Sequence, residues 1–230
     1  MPRKSVLMWV SVALCFAALP VGSFLLGDRH YYLMTAVMLL CACIPFALLF
    51  RTRRNRVREL VVVSVMTAIA VASRAVFYMI PECKPLCAIA ILTGIFLGEE
   101  VGFTVGALAM FLSNFLFGQG MWTPFQVFGM GLTVFLAALI LRRGALRENR
   151  IAAAAVGGLL AFAVYGTVVD TCAVFSLAAA YTPKSIAAVY LTGAPLNALH
   201  GAVTAVVLFF LLRPFGDRLE RMRTKYGLFQ

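Results

Sequence analysis

The chain has 230 residues, of which 63% are apolar and 13% charged, and its formal net charge is +11. A soluble domain carries about 25% charged residues, so a mean hydropathy of +0.95 excludes a water-soluble globule and makes lipid the solvent. The positive charge falls in short clusters between apolar runs, which excludes a nucleic-acid face and leaves membrane topology as its role.

Apolar runs cover 6–26, 31–50, 60–80, 86–97, 101–117, 125–141, 151–180 and 185–212. Most approach the ~20 residues of a spanning helix, and none alternates in polarity as a barrel strand does. The expected fold is therefore an all-α integral membrane protein of about eight transmembrane helices. Residues 1–58 form a two-helix hairpin with a basic linker, 59–212 a six-helix core, and 213–230 a basic tail. Residues 1–27 begin Met1-Pro2-Arg3-Lys4 and then turn apolar. That run exceeds the usual 7–15 residues of a signal peptide and lacks an Ala-x-Ala site, so it reads as a first helix.

Sixteen of the twenty basic residues lie at 3–4, 51–58, 142–150 and 213–225, against Arg29, Lys84 and Lys184 in the alternate loops. The positive-inside rule then puts both termini in the cytoplasm of a prokaryotic cell, in its inner or plasma membrane. The run 86–97 spans only about 18 Å. Merging it with 101–117 would bury Glu99 and Glu100 and move the 142–150 cluster outside. Two separate spans with a turn at Gly98-Glu99-Glu100 are expected instead.

Polar groups are costly in a bilayer, so their placement carries the functional signal. Arg74 stands in the outer third of its span. Asn114 precedes the outer end of the fifth, Gln126 follows the loop 118–124, and Asp170 lies near the outer end of the seventh. In the last run, Thr192-Gly193-Ala194-Pro195 reads as a break and a new helix start. Asn197 and His200 would then share a face of the first outer turns. Six groups from five helices thus sit at one depth above dry inner halves, a cup rather than a channel. Within the loop, Gln119 and Trp122 add an amide and an aromatic face, suited to a partly planar small molecule. Simpler roles exist for each: Arg74 and Asp170 can pair with one another, the asparagines can be interhelical glue, and Trp122 can be an interfacial belt residue.

On the run 60–80, Ser64, Ala68 and Ala72 recur every four residues as a small-residue ridge, about 120° around the helix from Arg74. Cys83 and Cys87 leave room for a disulfide. No catalytic residue, cofactor or metal site is indicated: there is no CxxC pair, no phosphate loop, no HExxH and no GxSxG. Glu99-Glu100 begins like the EExxxR motif of CAAX-type membrane proteases, but position 104 is Thr.

Several stretches resemble the S-components of energy-coupling factor (ECF) vitamin transporters. They are Arg58-Glu59-Leu60 leading into Thr67-Ala68-Ile69-Ala70-Val71-Ala72-Ser73-Arg74; Gly98-Glu99-Glu100-Val101-Gly102-Phe103; Ser113-Asn114 through Pro124-Phe125-Gln126; and Gly193-Ala194-Pro195-Leu196-Asn197-Ala198-Leu199-His200. The resemblance implies a six-helix core, a substrate pocket at the extracellular helix ends, and docking through Ala68-xxx-Ala72 on a transmembrane coupling subunit driven by two cytoplasmic ATPases. It further implies that the subunit topples in the membrane to deliver its substrate. The stretch from Asn114 to Pro124 is most similar to members associated with cobalamin or its precursors, with Met121 and Phe125 departing from that pattern. The alternative is a gradient-driven secondary transporter or channel using Arg74 and Asp170 as a charge relay.

Overall fold

The computed structural model describes residues 56–80, 82–177 and 182–229, and before them 36, 37 and 40. Apart from positions 36, 37 and 40, the expected N-terminal hairpin, Cys15, Cys41 and Cys43 included, lies outside the described residues.

The described chain forms helices α1 (Arg56–Val76), α2 (Leu86–Leu97), α3 (Glu99–Phe117) and α4 (Thr123–Leu141). A 3-10 turn at Gly144–Glu148 leads to α5 (Arg150–Leu160), which runs through a π-helical turn at Ala161–Tyr165 into α6 (Gly166–Leu177). The last helix is α7 (Pro183–Tyr226). Five stretches are long and apolar enough to cross a membrane, Arg150–Ser176 counting as one, and α2 is a shorter apolar helix. Among the described residues this is a six-helix core, five membrane-length stretches and the short α2, and the expected count of eight is not confirmed.

Helix α2, too short for a full bilayer crossing, is enclosed by the other helices. All twelve of its residues are buried, so it fills the bundle interior. Gly98, at φ 131°, ends α2 and opens α3; only glycine holds that backbone without strain. The two helices fold back on each other so closely that a Cβ on Gly102 would lie 2.5 Å from the Gly94 Cα. Glu99 forms an ion pair with Arg142 at the foot of α4. Two separate helices with a turn at Gly98 are therefore formed, as expected, and the reason is glycine contact on both sides of Gly98.

The expected break at 192–195 is absent. Helix α7 passes through Pro195 and Pro214 without interruption for 44 residues. Proline removes one backbone donor, yet in a bundle neighbouring helices and hydroxyls sustain the helix. Thr192 Oγ1 donates to the carbonyls of Ala188 and Val189, one turn below the proline. The helix start is instead Thr182, whose hydroxyl accepts from the Ser185 amide in a reciprocal cap. Residues 213–226 are the last turns of α7. Beyond Gly227 in the left-handed region, Leu228 and Phe229 are buried, and the Phe229 amide donates to Glu59 Oε1 at 2.6 Å.

The bundle thus has a basic end, with Arg58, Arg142, Arg147, Arg150 and the last turns of α7. Its other end, the loop end, carries residues 77–80 and 82–85, the turn 118–122, the end of α6 and the start of α7.

Candidate functional site

At the loop end, α1 presents Arg74 inward with 6% of its surface exposed, while Ser64, Ala68 and Ala72 on the opposite side are exposed. The helical geometry that separates the two faces is the one the sequence predicts. Arg74 Nη1 donates to Asn114 Oδ1 at 2.8 Å and to Ser113 Oγ, and lies 3.3 Å from the Met110 sulfur. Its guanidinium sits 4.4 Å from the Phe117 ring centroid. Asn114 then donates through Nδ2 to Gln126 Oε1 at 2.8 Å. A guanidinium, a hydroxyl and two amides from α1, α3 and α4 form one connected chain, buried except at Gln126, which is partly exposed.

Asp170 and Arg74 are not partners. Asp170 Oδ2 instead accepts from Asn197 Nδ2 at 2.7 Å. Two glycines make that second pair possible. A Cβ on Gly193 would stand 2.5 Å from Asp170 Oδ1, and one on Gly166 would stand 2.6 Å from the Asn197 Cγ. Gly193 entered the sequence reading as part of a helix break; its role is to let a carboxylate approach α7. Beside this pair, Thr171 Oγ1 and Tyr190 OH are 2.9 Å apart.

His200 is 2% exposed and packs on Tyr165, with ring centroids 5.1 Å apart. Tyr165 closes the π-helical turn, a local widening frequent at functional sites. Neither His200 ring nitrogen makes a hydrogen bond of good geometry, and Arg74 Nε is likewise buried without one. The charges of Glu82 and Lys84, themselves paired at 2.8 Å, act on His200 from the loop between α1 and α2.

The loop 118–122 is held by its own polar groups. Thr123 Oγ1 donates to Gln119 Oε1 at 2.9 Å, Gln119 Nε2 donates to the Phe111 carbonyl, and the Gly120 amide donates to Thr123 Oγ1. Both ends of the Gln119 amide are therefore spent on the loop. Trp122 is 44% exposed and folds so close to Gly120 that a Cβ there would strike its ring at 2.6 Å. Met121 leans instead on α6, where Ser176 Oγ meets its sulfur at 3.1 Å.

Of the predicted residues, the structure joins Arg74, Asn114 and Gln126 in one cluster and Asp170 with Asn197 in another. It sets His200 against Tyr165, turns Gln119 to loop support, and leaves Trp122 at the rim. The single six-membered convergence is thus two polar clusters. Tyr165 and Gly166 were not singled out, and Ser113 and Gly193 were named without a site role. Ser113 neighbours Asn114 in the most specific stretch and was open to notice; Tyr165 carries no signal in an apolar run. Cys83 and Cys87 are free thiols. Among the described residues no group of His, Cys, Asp and Glu is placed to hold a metal ion.

A family model described as ECF-type riboflavin transporter, S component, matches residues 54–215, more than two thirds of the chain. Comparisons with curated proteins and with solved structures give no match. The matched span coincides with the six-helix core and carries both polar clusters. The expected cobalamin subgroup finds no support, since the matching family is of the riboflavin type. The chain belongs to the family of ECF-type riboflavin transporter S-components, multi-pass membrane proteins that serve as the substrate-binding subunits of energy-coupling factor transporters.

Proposed function

We propose that this S-component captures riboflavin or a closely related flavin at the loop end, facing the cell exterior, and hands it to an ATP-driven coupling module. The observation that carries the reading is a set of buried polar atoms at one end of an apolar bundle: Arg74 Nε has no hydrogen-bond partner, and neither His200 nitrogen, one a donor and one an acceptor in the neutral ring, has one of good geometry. A buried polar group without a partner costs about 1–3 kcal/mol, and a ligand with ring nitrogens and carbonyl oxygens would relieve that cost. A flavin offers such an edge on a flat ring, and Tyr165 and Phe117 supply aromatic faces beside His200 and Arg74.

The partners in this reading are a transmembrane coupling subunit, which meets the exposed Ser64, Ala68 and Ala72 ridge, and two cytoplasmic ATPases. The basic end, with both termini, faces the cytoplasm, because Arg142, Arg147, Arg150 and the α7 cluster lie there.

Flavin fluorescence tests the substrate. Titrating riboflavin into the purified chain should quench its emission saturably, and cyanocobalamin should not restore it. Asn114→Ala should weaken binding by about tenfold or more, the loss of one or two buried hydrogen bonds. Absence of quenching, or displacement by the corrinoid, would overturn the flavin assignment.

A further inference from the structure

A second ligand site lies at the basic end, and it is independent of the flavin reading. A groove of about 280 Å³ opens between the first turns of α1 and the last turns of α7. Val57, Val61, Met222 and Leu228 give it apolar walls, and Tyr226 and Arg58 stand at its mouth. Leu228 is buried at its base, while Val57 and Val61 are more than half exposed. The fold builds this groove by returning the chain end onto α1, through the Phe229 amide and the buried Glu59 carboxylate.

Two cations flank the mouth. Arg58 Cζ lies 5.7 Å from the Tyr226 ring centroid, and Lys225 Nζ lies 5.4 Å from it. Neither joins an ion pair among the described residues. The nearest acids on these elements are already engaged: Glu220 pairs with Arg147 and lies beside Arg223, and Glu59 accepts the Phe229 amide. Arg218 and Arg221 add exposed positive charge to the same turns of α7. An apolar trough that opens under uncompensated cations, at the membrane-surface level of a spanning bundle, matches a molecule with a greasy tail and an anionic head.

We propose that this groove binds one anionic phospholipid, with its headgroup phosphate between Arg58 and Lys225. One acyl chain enters past Val57 and Val61. From there the chain runs along the exposed face of α1, where Val65 and Ile69 continue the apolar surface. Interfacial cations favour anionic lipid by about fivefold each, so the pair selects headgroup charge by more than tenfold.

The test uses the full chain in nanodiscs of phosphatidylcholine containing a minor share of phosphatidylglycerol. Lipids retained after transfer to mild detergent are counted by native mass spectrometry. The expected result is one retained phosphatidylglycerol per chain. Retention should fall about fivefold in Arg58→Ala and in Lys225→Ala, and further in the double variant, while Lys184→Ala at the other end changes nothing. A photo-crosslinker at Val61 should yield a lipid adduct. Equal retention of both headgroups, or retention unmoved by removing both cations, overturns the proposal. So does a crosslink from Val61 to residues 1–55, which would mean that the chain's own N-terminal segment fills the groove.

Discussion

Arg74 shows how one residue is fixed by its surroundings. A guanidinium in a bilayer is stable only where donors are matched, and here α3 supplies Ser113 and Asn114 on one side of the helix, at hydrogen-bonding distance. Asp170 is matched by a different helix, through Asn197. The carboxylate reaches it only because position 193 has no side chain. Gly193→Ala would place a Cβ about 2.5 Å from the carboxylate, and such overpacking costs about 1–3 kcal/mol. The thermal midpoint of the detergent-solubilised protein should drop measurably. A midpoint equal to that of the parent chain would show that the Asp170–Asn197 pair is loose. Inward placement of Arg74, Asn114 and Asp170 was legible in the sequence, since buried polar groups in apolar runs must face the bundle. Their choice of partner was not: residues 40 positions apart, such as Arg74 and Asn114, meet according to how α1 and α3 are rotated.

At the scale of elements, α1 has two faces with separate tasks. One is dry, with Val63, Met66 and Ala70 buried in the core. The other leaves Ser64, Ala68 and Ala72 exposed, a surface where another helix can approach closely. Under the reading that this ridge docks on the coupling subunit, Ala68→Leu with Ala72→Leu should reduce uptake by cells to background. Flavin affinity of the purified variant should stay within about twofold, as expected of exposed substitutions. Uptake at the parental rate would remove the ridge from the docking surface. Helix α7 carries the contrary lesson about local signals. The Gly193–Pro195 stretch has the composition of a helix break, yet α7 continues, because its turns pack against α6 and the π-helical turn. Helix α2, too short for a full crossing by its run of residues, is buried on every side.

For the molecule as a whole, the asymmetry of charge along the bundle axis orients it. Basic residues gather at one end with Glu99, Glu148 and Glu220, and the loop end holds the two polar clusters. A chain keeping only Cys83 among its cysteines, compared with one carrying only Glu148→Cys, gives a direct reading. An impermeant maleimide added to intact cells should label Cys83, in the turn between α1 and α2, and should reach the cysteine at 148 only after permeabilisation. The reverse pattern would invert the topology and place the candidate pocket toward the cytoplasm.

The sequence by itself determined the solvent, the helical class, the six helices of the core, the turn at Gly98 and the family resemblance. Each of these depends on which residue types follow one another, and a bilayer sorts such runs without reference to distant contacts. Only the tertiary structure decided that the inward polar groups divide into an Arg74–Asn114–Gln126 chain and an Asp170–Asn197 pair. It alone ran α7 through Pro195, turned Gln119 to the loop and folded the last residues onto Glu59. Those outcomes depend on how closely helices approach and how they are rotated. Glycines such as Gly166 and Gly193 govern that approach, and their effect appears only when the facing helix is in place.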